Sequence, residues 1–409
     1  MKLLLPSLIA CFVLLPCVAS AQTPASNAAD KTAVVEGNNA FAVDLYSRLR
    51  NQDGNLFFSP ASVSTALAMA YAGARGDTAD EMAQTLHFTL AAERLHPAMG
   101  ALLADLNAPH DGYQLRVANA LWAQQDDRIL PEFLQLNRTD YGAAFIRVDF
   151  KGDGEAARLT INRWVERKTE DKVKNLLQPG VLNSYTRLVL TDTVYFKSYW
   201  QTQFKKRETE DGDFILSPIR RVTAPMMHQS GGFNYLKGDA FRALEIPFQS
   251  GETSLIVFLP DKNDGLNDLE RSLTASNLRQ WLGQLRPVPK VILTMPRFKV
   301  AQDFELRETL GKLGIQKAFE LGVADFSGIT GNRKLFVSAM IHKAFIDVNE
   351  EGTEAAATTE AFGVAGMEGL GAPEEPPIPF TVDHPFLFLI RDNRSGGILF
   401  MGRVTDPTK

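Results

Sequence analysis

The sequence predicts an α+β fold on three observations. Helical signals crowd the first part of its 409 residues, strand-like runs crowd the rest, and no Pro/Gly/Ser-rich linker divides the two. Helices early and strands late point to segregated elements rather than to an alternating, doubly wound sheet.

Residues 1–21, MKLLLPSLIACFVLLPCVASA, begin with basic Lys2, run apolar from Leu3 to Val18 and end on Ala19-Ser20-Ala21. This reads as a cleaved secretory leader of bacterial type, too short to span a bilayer, and it makes the mature chain a secreted one, periplasmic or extracellular. Both cysteines, Cys11 and Cys17, fall inside it, so the mature chain is expected to have no disulfide and no thiol chemistry. Leu8-Ile9-Ala10-Cys11 also resembles a lipidation box, but it would strand half of the apolar run behind the cysteine. Residues 22–36 read as a flexible segment and 37–409 as one domain.

Phe41, Leu45 and Leu49 recur at helical spacing. Ser59-Pro60 supplies a cap and a first-turn proline for a helix through Val63, Leu67, Ala70 and Tyr71, and Thr78-Ala79-Asp80-Glu81 reads as a capping box for a third. Strand-like runs follow at Tyr113 to Gln124, Arg187 to Phe196, Phe241 to Phe248, Thr253 to Leu259, Val291 to Phe298 and Leu335 to Asn349. Phe386 to Arg391 and Ile398 to Val404 make a hairpin across the turn at 392–397.

Residues 350–379 stand apart. From Thr353, every second residue is small (Thr353, Ala355, Ala357, Thr359, Ala361, Gly363), and the other face carries Glu354, Ala356, Thr358, Glu360 and Phe362. That period suits a strand whose small face slides against a core. Yet Gly366, Gly369, Gly371 and Pro373 follow at once, and a connection this long is uncommon in a compact domain unless it has a function. The stretch reads as a loop able to become a strand.

Charge and motifs exclude several classes. A net charge of -5 and a pI near 5.8 oppose nucleic-acid binding. The basic run Lys205-Lys206-Arg207 is followed by Glu208, Glu210, Asp211 and Asp213 and reads as a solvated turn. There is no G-x-S-x-G elbow, no H-E-x-x-H, no phosphate loop and no dinucleotide fingerprint. The six histidines are scattered without metal-ligand spacing, so no metal, no cofactor and no enzymatic activity are expected. His342 and Asp192 read as hydrogen-bonded structural groups within apolar strands, and Trp122 and Trp200 as core.

Several segments together resemble the serpins, the family of serine-protease inhibitors: NLFFSPASVSTALAMAYAGARGDTADEM (55–82), LVLTDTVYFKSYW (188–200), DFSGIT (325–330), VSAMIHKAFIDVNEEGTEAAA (337–357) and DHPFLFLIRDNRSGGILFMGRV (383–404). Their order is that of serpin landmarks, and the likeness runs from Asn38 to Pro407. The resemblance implies a single-domain α+β fold with three sheets, eight or nine helices and an exposed reactive loop, here about 350–379. Its hinge is then Glu350, Glu351, Gly352, Thr353, Glu354, Ala355, Ala356 and Ala357, with Thr359, Ala361 and Gly363 continuing the inserting face. Ser59, Ser62, Asp192 and His342 are placed where the central sheet opens, and Trp200 near the point where the loop goes in. Asp192 departs from the family's usual asparagine and Ser198 from its usual glycine.

The implied activity is suicide-substrate inhibition of a serine protease, the partner, by a monomer that binds no nucleic acid and no membrane. The family's usual spacing from Glu350 puts the reactive bond at Gly366-Met367, with Met367-Glu368 and the bond after Leu370 as shifted alternatives. No lysine or arginine lies between Thr353 and Pro385, which favours elastase-, chymotrypsin- or subtilisin-like targets over trypsin-like ones. The alternatives are a non-inhibitory serpin acting as ligand carrier or chaperone, and a secreted hydrolase with a triad dispersed in sequence.

Overall fold

The computed structural model describes residues 28–110, 112–169, 171, 173–353 and 376–409. Its helices start where local chemistry permits. The Ser59 hydroxyl accepts from the Ser62 amide at 3.3 Å and Pro60 occupies the first turn of α2 (Pro60–Tyr71). Before it lie α1 (Ala28–Leu49) and β1 (Leu56–Phe58), and after it α3 (Gly76–Thr85) and α4 (Ala92–Asn107). β2 (Tyr113–Gln124), α5 (Pro131–Tyr141), β3 (Ala144–Val148), α6 (Gly154–Lys168) and β4 (Leu188–Tyr199) complete the first half.

Two expectations are corrected here. Residues 28–36 are not a flexible lead-in: they form the first turns of α1, where Val34 and Val35 are buried and Asp30 pairs with Arg94 of α4. Thr78 and Glu81 do not cap α3, which begins at Gly76. Instead the Thr78 hydroxyl accepts from the Asp325 amide at 2.9 Å, and Glu81 accepts from the amides of Gln316 and Lys317 at 2.9 and 2.8 Å. The box residues satisfy a distant segment's backbone rather than their own helix.

The second half holds β5 (Glu210–Ser217), β6 (Arg220–Lys237), β7 (Phe241–Pro247), β8 (Thr253–Pro260), α7 (Leu266–Ser272), α8 (Ala275–Gln284), β9 (Arg286–Pro296), β10 (Phe298–Glu305), α9 (Arg307–Leu313) and α10 (Ser327–Thr330). β11 (Val337–Val348), β12 (Gly352–Thr353), β13 (Ile378–Thr381), β14 (Phe386–Asp392) and β15 (Ile398–Val404) end it. Among the described residues there are thus ten α-helical segments, against an expected eight or nine; α10 is only four residues long.

The strands form a six-stranded sheet ordered β10-β11-β12-β4-β2-β3 and a nine-stranded ladder ordered β1-β15-β14-β8-β7-β6-β9-β13, with β5 also on β6. The ladder contains the other two sheets of the expected three. The first residues of β6 carry β5, its last carry β7, and its register slips between Gly231 and Phe233. One face of the six-stranded sheet packs on the ladder through Phe196, Phe298, Phe388 and Phe400. On the other, α6 lays Ile161 and Val165 over Trp122 of β2, Val189 of β4 and Ile341 of β11. A buried sheet of this kind needs continuous apolar strands, and β4 is buried at nearly every position.

Candidate functional site

The six-stranded sheet contains a seam between two strands far apart in sequence. β4 and β11 run parallel, from Leu188 opposite Val337 to Tyr195 opposite Phe345. Beyond Phe345 the two strands part, and β12 sits between them. Gly352 and Thr353 pair antiparallel with Tyr199 and Ser198 on one side, and Thr353 pairs with Val348 on the other. The sheet is therefore closed along most of its seam and already split at one end, by the first residues of the segment that the sequence marks as strand-like.

Sterics make this wedge possible. Gly352 has φ +151, and a Cβ there would lie 2.0 Å from the Ser198 carbonyl oxygen. Only glycine fits so close an approach. Thr353 is wholly buried, and its hydroxyl accepts from the Ser198 amide at 3.0 Å. The Ser198 hydroxyl donates to the Gly112 carbonyl at 2.7 Å, tying β4 to the start of β2.

The turn from β11 into β12, which holds the hinge residues Glu350 and Glu351, is anchored by Trp200 and by Arg297, Thr209, Phe204 and Lys206, four groups that sequence reasoning missed. The Glu350 side chain is 2% exposed and is gripped by the Arg297 guanidinium, with Nε at 2.7 Å, and by the Thr209 hydroxyl at 2.5 Å. Burial pushes this carboxyl up, but the hydrogen bonds from Arg297 and Thr209 outweigh it and hold Glu350 below its ordinary value. The Phe204 and Trp200 amides donate to the carbonyls of Glu350 and Glu351 at 3.0 and 2.9 Å. The Trp200 indole, stacked on Phe248 at 4.7 Å, donates to the Asn349 carbonyl at 2.8 Å. Lys206, from the basic run read as merely solvated, pairs with Glu351. Arg297 had one available signal: it is the lone cation in VILTMPRF, and a cation in an apolar run implies an acid partner.

Midway along the seam, Ser59, Ser62, Asp192 and His342 converge. Asp192 on β4 and His342 on β11 are register partners, both fully buried, with Nδ1 2.8 Å from the carboxylate. The other ring nitrogen, Nε2, receives the Ser59 amide N–H at 3.0 Å. An amide only donates, so Nε2 carries no proton and the neutral ring presents Nδ1–H to Asp192. Ser62 donates to the remaining carboxylate oxygen of Asp192. The order of contacts is wrong for a hydrolase: the carboxylate, not the imidazole, meets the serine hydroxyl, and the Ser59 hydroxyl is spent on the Leu399 carbonyl at 2.7 Å. Trp122 and Trp200 are buried core, as expected.

The remaining assigned positions lie outside the described residues: hinge residues Glu354, Ala355, Ala356 and Ala357, inserting-face residues Thr359, Ala361 and Gly363, reactive-bond candidates Gly366, Met367, Glu368 and Leu370, and the leader at 1–21. Among the described residues no cluster of His, Cys, Asp or Glu is arranged to hold a metal, and no helix is long and apolar enough to cross a membrane.

A parallel seam with a strand begun between its two edges is one signature, and the family comparison supplies the other. Residues 36–407 match the model of the family described as serpin (serine protease inhibitor). The chain belongs to the serpin family. It is 41% identical over 379 residues to the leukocyte elastase inhibitor of Homo sapiens, covering 90% of this chain and 98% of that one. Among solved structures, this serpin is similar to Serpin48, a highly specific serpin of the insect Tenebrio molitor, with TM-score 0.80 and 34% identity over 91% of this chain and 98% of that one. It is also similar to human thyroxine-binding globulin in its thyroxine complex, with TM-score 0.82 and 31% identity over 93% of this chain and all of that one. These relatives are animal proteins and give no support to the bacterial source suggested by the leader.

Proposed function

We propose that this serpin is an irreversible suicide-substrate inhibitor of serine endopeptidases with apolar primary specificity, elastase-, chymotrypsin- or subtilisin-like. The observation that carries the reading is the register of the wedge. Extending the antiparallel pairing of β12 beyond Thr353 puts Thr359 between Asp192 and His342, and Gly363 opposite Leu188 and Ser338. Those residues lie at the start of β4 and one residue inside β11, so the small-faced segment 353–363 fits the whole seam and stops where the seam stops. Every second residue from the buried Thr353 then shares its face, which is the face free of charge and bulk.

The chemistry follows. The protease serine attacks the carbonyl carbon of the residue before the cut, the peptide nitrogen leaves as a new N-terminus, and the carbonyl stays on the serine as an ester. Cleavage frees the hinge side of the loop to enter the seam, replacing one parallel pairing with two antiparallel ones. Roughly ten added backbone bonds at about 1 kcal/mol each give on the order of 10 kcal/mol, before counting the buried small face. The attached protease is carried along, and deacylation, which tolerates little displacement, stalls. Loop insertion of this kind is an established switching transition of serpins.

The cut is assigned to Gly366-Met367, with Met367-Glu368 and the bond after Leu370 as the shifted choices. The likeness to leukocyte elastase inhibitors and the absence of Lys and Arg from 353–385 both support an apolar target. The sequence of residues 1–21 supports secretion, and the proposal takes the inhibitor to act as a monomer without a cofactor. The likeness to thyroxine-binding globulin favours a ligand-carrier reading instead, against which stands the small-faced segment that fits the seam. Incubation with a protease panel tests the proposal. A denaturation-resistant adduct and a new N-terminus at Met367, Glu368 or Gly371 are expected; turnover without adduct across the panel overturns it.

A further inference from the structure

A cavity of about 800 Å³ lies between α7, α8 and the turn from β6 into β7, away from the seam and the loop. Its size is that of a small-molecule site. We propose that it binds an uncharged saccharide of one or two rings, which stacks on Trp281 and is held by the amide side chains of α8. The inhibitory reading neither needs this site nor falls with it.

One face of α8 builds the wall. Asn277, Gln280, Trp281 and Gln284 follow one another at three- and four-residue steps, so they share a stripe of the helix, and all four line the cavity. The neighbouring stripe, with Leu278 and Leu282, lines a separate pocket against α1. Trp281 is half-buried and is set by core rings, Phe241 at 4.7 Å and 58° and Phe258 at 5.9 Å and 48°. At Gly238 a Cβ would lie 2.5 Å from the Phe241 ring, so glycine lets the β6–β7 turn run close against the floor.

The polar groups on this wall are left open. The Trp281 indole N–H and the side-chain amides of Gln280 and Gln284 make no hydrogen bond among the described residues. Asn277 spends an amide N–H on the Ser272 carbonyl at 2.6 Å and keeps its side-chain oxygen as an acceptor.

Charge then narrows the ligand. Asp261 is paired with Lys237 at 2.7 Å and with Arg242 at 3.3 Å, and Asp268 is paired with Arg271. The charges left at the mouth are Asp239 and Lys262, one of each sign and both exposed. A sulfated or phosphorylated ligand finds no excess of cations here. A wholly apolar ligand would cover the amides without replacing their hydrogen bonds to water. A neutral sugar meets both demands: its C–H face covers the indole, and its hydroxyls donate and accept, as the Gln280 and Gln284 amides do.

The test titrates the full-length protein with maltose, cellobiose, lactose and N,N′-diacetylchitobiose by isothermal titration calorimetry. At least one is expected to bind with a dissociation constant of about 1 mM or tighter. Trp281→Leu is expected to weaken that binding at least about tenfold. The double variant Gln280→Ala with Gln284→Ala changes two exposed side chains and is expected to weaken it at least about fivefold, with the thermal midpoint unmoved. If Trp281→Leu does not fold, the double variant decides. No binding of any of the four at up to about 20 mM overturns the proposal, as does binding that the double variant leaves undiminished. Tighter binding of a sulfated heparin disaccharide than of any of the four overturns the neutral class of ligand.

Discussion

The split end of the β4–β11 seam and its middle are built from the same strands and behave oppositely. Near Ser198 and Val348 the seam is split and wedged by Gly352 and Thr353, and its walls are backbone hydrogen bonds that any extended strand could make. Around Asp192 and His342 it is shut, and shut by side chains that make specific, direction-dependent bonds. The contrast teaches where the barrier to insertion lies. On the proposed mechanism, with Gly352 and Thr353 already in the sheet, the resistance sits at the middle, where Ser59 and Ser62 at the start of α2 meet the Asp192–His342 pair.

The most severe way to break the contrast is to jam the open end. Thr353→Arg places a charge at a wholly buried position, and inhibition is expected to fall by at least about 100-fold, with the protease consuming the chain as a substrate. The ratio of denaturation-resistant adduct to cleaved chain measures it. Next in size, Glu350→Gln leaves the half-exposed Arg297 without its acid partner and is expected to cost about 1–2 kcal/mol in urea unfolding. The same pair sharpens the comparison through pH. Because the folded Glu350 carboxyl lies below its ordinary value of 4.5, its stabilising contribution is fully present above that value and fades as the pH falls through the lower, folded one. The stability difference between wild type and Glu350→Gln should therefore stay constant above about pH 5 and shrink in more acidic urea titrations. Smallest is Lys206→Ala. Its ammonium is 65% exposed, so losing the contact to Glu351 should change stability by less than about 1 kcal/mol.

Local patterns were legible where side chains face one environment. The apolar runs of β4, β8, β14 and β15 were readable because both faces of each are buried almost throughout, and β11 because one face is; the Ser59-Pro60 start of α2 was legible too. β5 and β6 were not, because Glu210–Ser217 is largely exposed and β6 carries Pro225 and the Gly231-Gly232 pair where its register slips. Thr78 and Glu81 show the limit of a local motif: the spacing of a capping box was present, but the donors they serve belong to residues 316–325. At the site, Ser59, Ser62, Asp192 and His342 could be assigned only through family likeness, since nothing in a single strand's pattern says that residues 192 and 342 pair. The Glu350–Arg297–Thr209 anchor was hidden for the same reason, being assembled from three separate segments.

The central claim is that the intact fold lies well above the state reached once its loop is cut and taken into the seam. Thermal unfolding of the chain before and after a single cut within residues 364–370 tests it most directly. The account predicts a midpoint raised by roughly 10 °C or more in the cut form, on the scale of about 10 kcal/mol of added stability. An unchanged midpoint, with segment 353–363 still open to further proteolysis, would contradict it.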